Sequence, residues 1–234
     1  MALALAVVVT SAPLAGCTTA VYLPPARLFP IESAATLPRG DTGVHAEGGA
    51  HGAFLGASAS SGTLRVRHGI GDGTDASLEA SVLHIAGGGP GDSYPNAFTG
   101  RAGVKHRVTP WLSLTAGLGG GASAGGGFVS PDLGLIVAYE NHYFVPFLEA
   151  RGSFSQPFDA HPVVVGGQPA VVPPFTWIGG GVAGFRIPMS WNDADPHEVR
   201  TSVLGALALT DLSFPGPDSP QVVVSLGGGL EVTF

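Results

Sequence analysis

The chain has one cysteine, Cys17, so it forms no disulfide of its own. It has one lysine, Lys105, and no basic run. Ten Lys and Arg stand against 17 Asp and Glu, a net charge of −7. Nucleic-acid binders need a basic surface, and that class is set aside. Charged residues make up only 12% of the sequence, about half the share of a soluble domain. No stretch after residue 16 reaches the roughly 18 apolar residues that a spanning helix requires. If this chain crosses a membrane, it does so as strands.

Motifs of catalysis are missing as well. There is no G-x-S-x-G, and no serine is paired by its spacing with an oriented base. The runs GLGGGASAGGGF and GGGVAG lack the strand–glycine–helix context and the following acid of a dinucleotide loop. His45 and His51 share a strand face near Glu47, but that spacing spans about 20 Å and one ion cannot bridge it. His45 and His51 therefore read as polar residues of an inner face. No catalytic residue, metal or cofactor is assigned, and the chain is not expected to be an enzyme.

What is abundant is glycine, at 37 residues, with 20 prolines and 44% apolar residues. No G-x-y period runs through it, which excludes collagen, and the apolar share is too high for simple disorder. The apolar residues alternate instead. In the closing stretch QVVVSLGGGLEVTF, Val222, Val224, Leu226, Gly228, Leu230, Val232 and Phe234 share one strand face, opposite Gln221, Val223, Ser225, Gly227, Gly229, Glu231 and Thr233. Side chains alternate faces with period two, so one face is greasy and the other small or polar. LRVRHGI, FTGRAGVKHR, WLSLTAGL, FVPFLEARGSF and EVRTSVLGALAL repeat the pattern.

Charges within these segments fall mostly on the non-greasy parity. Glu47, Arg65, Arg67, Glu79, Arg101, Lys105, Glu149, Arg151, Arg200 and Glu231 are assigned to an inner lumen face, with Arg107 and Glu140 beside them. A charge facing lipid at mid-depth costs about 2 to 4 kcal/mol, whereas in a lumen it is hydrated or paired. The aspartates, among them Asp72, Asp75, Asp159 and Asp211, are placed in or beside turns.

Ten strands are predicted, at 43–55, 58–70, 74–86, 96–107, 111–123, 127–140, 143–155, 175–187, 198–210 and 221–234. The expected fold is all-β, a closed antiparallel up-and-down transmembrane barrel of about ten strands, with eight as the alternative. An even count puts both barrel termini on one side. GIGDGT, RVTPW and YENHY are short turns, and they alternate with longer segments at 87–95, 156–174 and 211–220. Aromatics sort by height, with Tyr139, Tyr143, Phe144, Phe185 and Phe234 near one set of strand ends. Phe54, Phe98, Phe154, Phe175 and Trp177 fall near the other, as two interfacial girdles would. Pro131 and Pro146 fall inside predicted strands, where they mark bulges or strand ends.

At the other end, an apolar run from residue 1 stops at Leu14-Ala15-Gly16-Cys17. This resembles a lipobox, the bacterial motif at which a signal peptide is cut and the new N-terminal cysteine is acylated. No Lys or Arg precedes Arg27, a departure from the usual signal peptide. The resemblance implies a signal peptide at 1–16, a lipidated tether at 17–42 and a barrel at 43–234, with Cys17 acylated. Thr18, in place of an Asp, points to the outer membrane. The final strand resembles the signal read by the bacterial barrel assembly machinery, carried here by Leu230, Val232 and Phe234.

The expected protein is thus a lipid-anchored small outer-membrane barrel with a charge-filled lumen and a structural or loop-mediated role. Its partners would be outer-membrane lipids, the assembly machinery during insertion, and a surface partner at loop 156–174. Both termini would be periplasmic, since the acyl chains would enter the inner leaflet. The alternatives are a narrow channel for small solutes and a lipid-tethered soluble β-sandwich or lipocalin-like ligand binder.

Overall fold

The period-two segments become twelve strands in the computed structural model, which describes residues 26–53, 58–86, 96–165, 168–170, 172–189, 199–215 and 220–234. They are β1 (Thr42–Ala53), β2 (Ser58–Gly71), β3 (Thr74–Ala86), β4 (Ala97–Thr109), β5 (Leu112–Ser123) and β6 (Gly126–Ala138). Then follow β7 (Val145–Phe158), β8 (Val163–Val165), β9 (Gln168–Ala170), β10 (Thr176–Pro188), β11 (Arg200–Ser213) and β12 (Gln221–Thr233). Ten of them close an antiparallel barrel in the order β1-β12-β11-β10-β7-β6-β5-β4-β3-β2, while β8 and β9 form a separate hairpin. Ten strands replace the eight-strand alternative, and a single closed barrel replaces the two layers of a sandwich. Each predicted barrel strand coincides with one of these within three residues at either end.

Closure is made by β1 and β12, paired from Gly43↔Thr233 to Ala53↔Val223. Thr42 and Phe234 lock the seam, each donating its N–H to the other's carbonyl, at 2.8 and 2.9 Å. No barrel strand is left as an open edge. The end bearing Thr42 and Phe234 also carries the β2–β3, β4–β5, β6–β7 and β10–β11 connections; it is the terminal end below. The far end carries the rest.

The proline positions have local consequences. Ladder partners between β6 and β7 run down to Val129↔Gln156 and resume at Asp132↔Ser153. The gap covers Ser130 and Pro131, as expected where proline has no N–H to donate. Pro146 is the second residue of β7, and its carbonyl accepts from Tyr139 N–H at 3.1 Å.

Outside, Leu64, Leu78, Phe98, Leu118, Leu133, Leu148, Leu207, Leu226 and Leu230 are all more than 45% exposed. Across the ten barrel strands the outward rows hold no Lys, Arg or Glu. Asp211 is the one outward carboxylate, close to the far end of β11, and the outward His68, His84 and His106 stand close to strand ends. Tyr139, Tyr143, Phe144, Phe185 and Phe234 are exposed at the terminal end, Phe144 stacked on Phe185 at 5.6 Å. At the far end Trp177 packs on Phe154 at 4.7 Å, and Phe154 on Phe175 at 5.9 Å. Phe54 lies outside the described residues.

Inside, the expectation of an extended tether before residue 43 meets a different arrangement. From residue 26 the chain runs within the barrel: Ala26, Arg27, Phe29, Ile31, Glu32, Ser33, Ala34 and Leu37 are all buried. The segment is proline-rich and without a period, which reads locally as linker. Its burial comes from contacts distant in sequence, and a local pattern does not register those. Cys17 and the rest of residues 1–25 lie outside the described residues.

Candidate functional site: the lumen and its plug

The plug descends the barrel in chain order. The Ala26 carbonyl accepts from Thr99 Oγ1 at 2.8 Å, near the far end of β4. Phe29 meets His51, near the far end of β1, edge to face at 5.8 Å. Glu32 reaches Lys105 at 3.3 Å and Arg65 at 3.4 Å at mid-barrel. The Ala34 carbonyl accepts from Ser113 Oγ at 2.5 Å, one residue from the terminal end of β5. Ala35 N–H donates to Glu140 at 3.0 Å, and Leu37 N–H to Asp75 at 3.1 Å. Gly40 N–H donates to the Gly69 carbonyl at 2.8 Å, and Gly69 N–H to Asp41 at 3.0 Å, at the terminal end of β2.

Glycines on the barrel wall make room for this course. A Cβ on Gly69 would collide with the carbonyl of Pro38. One on Gly227 would collide with the Phe29 ring, and one on Gly119 with Ala26. Part of the glycine that dilutes the strand pattern is thus space for the plug.

One wall of the lumen, chiefly β1 to β4, is ionic. Glu79 faces Arg65 on one neighbouring strand and Arg101 on the other, each directly opposite in register. Arg101 Nη1 donates to Glu79 at 2.6 Å, while its Nε and Nη2 clasp Asp132 at 2.6 and 2.8 Å. Arg65 lies 3.1 Å from Glu47 and 3.7 Å from Glu79. Arg67 reaches Asp75 at 2.6 Å and Glu231 at 3.2 Å. Arg151 lies 3.4 Å from Asp132. The plug joins this network: Arg27 reaches Glu32 at 2.6 Å and Glu79 at 3.1 Å, and Lys105 Nζ donates to Glu32 and to the Ser33 carbonyl. Such bidentate and cross-strand pairs are the strong kind of ionic hydrogen bond.

The opposite wall is apolar. Ile136 and Ala138 of β6, Val145 and Phe147 of β7, Val182 of β10 and Leu204, Ala206 and Ala208 of β11 form one buried cluster with Phe29, Ile31 and Ala34 of the plug.

Of the residues assigned to the lumen from sequence, Glu47, Arg65, Arg67, Glu79, Arg101, Lys105, Glu149 and Glu231 are buried. Arg151 is half-buried, with Nη1 unbonded. Glu149 is buried with neither carboxylate oxygen hydrogen-bonded. Arg200 differs. It stands at the first position of β11, where the wall ends, and pairs with Asp41 at 2.6 Å with its side chain 46% exposed. Arg107 is exposed at the same end, and Glu140 pairs there with Arg186 at 2.7 Å. Sequence reasoning missed Arg27, Glu32, Asp75 and Asp132. Asp75 was placed at a turn; it opens β3 but points inward, 1% exposed. The available signal was parity, since Asp75 and Asp132 share the inward rows of Glu79 and Ser130.

His51 is held by Ser225 at 2.8 Å and Ser61 at 2.7 Å, and His45 lies 3.6 Å from Glu47. Among the described residues no cluster of His, Cys, Asp and Glu has the makings of a metal site. Leu230, Val232 and Phe234 lie on the outward row of β12, Leu230 and Phe234 about 60% exposed. In loop 156–174, β7 continues to Phe158, and beyond it Val163 is buried. Val172 packs on the inward Phe128, so the loop folds back over the far mouth.

No family model and no curated protein matches the chain. Among solved structures it is similar to the β domain of the Bordetella autotransporter BrkA, with 12% identity, 84% of this chain and 100% of that one covered, and a TM-score of 0.45. It is similar to Neisserial surface protein A, with 13% identity, 83% and 96% covered, and a TM-score of 0.39. The N-terminal β-barrel domain of Pseudomonas aeruginosa OprF aligns at 11% identity over 81% and 96%, with a TM-score of 0.35.

Proposed function

We propose that this chain is a small bacterial outer-membrane barrel, anchored by lipid at Cys17, with a structural or loop-mediated role and a lumen sealed by its own residues 26–37. The observation that carries the membrane reading is the outward face. Ten strands of 12 to 14 residues exceed the 9 to 11 or so that a tilted spanning strand needs. Their outward rows hold no Lys, Arg or Glu, and aromatics stand at both ends. A soluble lipocalin-like binder would present those rows to water, and a greasy belt of that extent is incompatible with solubility. The short-turn end, with the C-terminus, faces the periplasm, following the habit of outer-membrane barrels. Leu230, Val232 and Phe234 serve the assembly machinery during insertion.

The sealed reading is supported by what occupies the lumen. A narrow channel needs a continuous wet path, whereas Glu32, Arg27 and Ile31 stand in the centre and are at most 5% exposed. Two small pockets beside Ala26–Pro30 each measure about 20 Å³, room for about one water.

The test has two arms. The membrane fraction should contain a form that migrates anomalously on a gel until boiled and that needs detergent for extraction. The purified barrel should then be silent in a planar bilayer. Extraction by salt alone would sink the membrane reading; discrete conductance steps from the wild-type chain would sink the sealed one.

A further inference from the structure

The outward face of the barrel is not uniformly bulky. Across β2 to β5, on the half nearer the terminal end, it carries an open trough of about 650 Å³. Three alanines on adjacent strands floor it: Ala76 of β3, Ala102 of β4 and Ala116 of β5. Val66 and Leu78 stand beside them. Alanine is too short to cover its own strand, so the inward residues Gly103 and Gly117 are reached from outside. On β11 and β12, by contrast, the outward partners are large, Leu207↔Leu226 and Val203↔Leu230. In hydrocarbon a trough of this size is filled, because an empty one would forfeit dispersion contacts along its lining. Its volume falls within the range of about 300 to 1,000 Å³ typical of small-ligand sites.

The terminal margin of the trough decides its occupant. His68 lines the trough there, and His106 is the next outward residue of β4 beyond Val104. Each ring is held through Nδ1 by a threonine hydroxyl, His68 by Thr42 at 3.1 Å and His106 by Thr74 at 2.8 Å. Nε2 is then the nitrogen of each ring left to donate to an acceptor. On the rim beyond them stand Arg39 and Arg107. Arg39 lies between Pro38, whose carbonyl covers Gly69, and Gly40, which donates to the Gly69 carbonyl at 2.8 Å. Arg107 N–H donates to the Gly73 carbonyl at 2.7 Å. Of the three exposed arginines at this end, Arg200 is paired with Asp41, and Arg39 and Arg107 have no ion-pair partner among the described residues. The exposed Asp72 lies in the β2–β3 turn beside them, one carboxylate against two guanidinium groups. The connections of the far end hold no Lys or Arg. A cationic margin over an apolar trough has the chemistry that receives a phosphate above a hydrocarbon chain. We infer that this trough holds one anionic phospholipid of the terminal-end leaflet. Its acyl chain lies on Ala76, Ala102 and Ala116, and its phosphodiester meets His68, His106, Arg39 and Arg107. The inference rests on the membrane reading of the preceding section. A second copy of this chain is the competing occupant. Barrels side by side in a membrane share a height, so a two-fold contact over the trough would set the basic margin of one copy against that of the other, like charge facing like.

The experiment uses the full chain, purified in detergent, with heat-modifiable migration confirming that each variant is folded. Dioleoyl phosphatidylglycerol is added at low salt, and the complexes are weighed by native mass spectrometry. Wild type should retain a single lipid. Ala102→Phe, which fills the trough, should abolish retention, while Leu226→Phe on β12 should leave it unchanged. Arg39→Ala combined with Arg107→Ala should weaken binding about thirty-fold, each arginine contributing about five-fold. Equimolar inorganic phosphate should not displace the lipid. Equal retention by wild type, Ala102→Phe and the double variant overturns the inference, as does displacement by phosphate, which would place the ligand on the rim without the trough. A wild-type dimer that Ala102→Phe dissolves overturns it in favour of contact between copies. Should Ala102→Phe fail to fold, Ala116→Leu fills the same trough with a smaller side chain. If migration and detergent dependence hold while the variants retain lipid alike, this site fails and the membrane reading stands. A chain that is extracted by salt alone fails the membrane reading itself, and the inference with it.

Discussion

The two walls of the lumen hold the same segment by different means. Against β1 to β4 the plug is held by Arg27 and Glu32, each paired with barrel charges. Against β6, β7, β10 and β11 it is held by Phe29, Ile31 and Ala34 in an apolar cluster. Apolar contact is non-directional and tolerates a slide along the wall. Ion pairs with fixed hydrogen-bond geometry do not. The ionic wall therefore sets the height of the plug, and the apolar wall supplies the burial that keeps it there. A segment apolar on both sides would pack but would lack a unique register.

Glu32→Ala should have the largest effect. It removes the carboxylate shared by Arg27, Arg65 and Lys105. Breaking a buried pair by removing one partner costs about 3 to 5 kcal/mol, because the remaining charge is left buried. The expected outcome is a large fall in the urea midpoint of the heat-modifiable form, partly restored when Lys105→Met is added. Equal midpoints for Glu32→Ala and wild type would mean that the ionic wall does not hold the plug.

On the other wall, Ile136→Ala should cost about 2 to 5 kcal/mol by leaving a cavity under the plug. Ile136 is fully buried in the cluster with Ile31 and Phe29. The two walls separate on combination. Ile136→Ala should be insensitive to Lys105→Met, since Ile136 packs in the apolar cluster and Lys105 pairs with Glu32 on the ionic wall. Strong non-additivity by the same urea midpoint would join what the comparison separates.

Glu149 belongs to neither arrangement. It projects from β7 between Phe147 and Arg151, buried and without a hydrogen bond. Removing an unsatisfied buried polar group relieves a penalty of about 1 to 3 kcal/mol. Glu149→Leu should therefore hold or raise the midpoint, the opposite sign to Glu32→Ala. A fall comparable to that of Glu32→Ala would show that Glu149 has a partner in solution.

These differences explain what the sequence disclosed. Alternation was legible because the outward rows are almost uninterrupted, as in Val222, Val224, Leu226, Leu230 and Val232. The inward charges were legible because they share the other parity. The apolar wall was not, since Ile136, Val145 and Phe147 put large hydrocarbon on the inward face of β6 and β7, the parity that elsewhere carries the charges. The plug was least legible. Arg27 and Glu32 lie among prolines with no period, and their partners on the barrel wall are more than 30 residues away along the chain. The inward glycines Gly119 and Gly227 were the indirect trace, since a Cβ on either would meet a plug side chain, Ala26 or Phe29.

The smallest effect is expected at the rim, where the same chemistry meets water. Arg200 and Asp41 approach to 2.6 Å, as close as Arg101 and Glu79 do in the lumen. Their side chains are 46% and 23% exposed, against 3% and 2% for the lumen pair. Exposed pairs contribute about 0.2 to 1 kcal/mol and are screened by salt. Arg200→Ala should lower the midpoint slightly at low salt and not at all at 1 M, where the screening length is about 3 Å. Arg101→Ala, which strands Glu79 and Asp132 without their shared guanidinium, should lower it at both. If the two variants respond alike to salt, water reaches the ionic wall, and burial is not what separates rim from lumen.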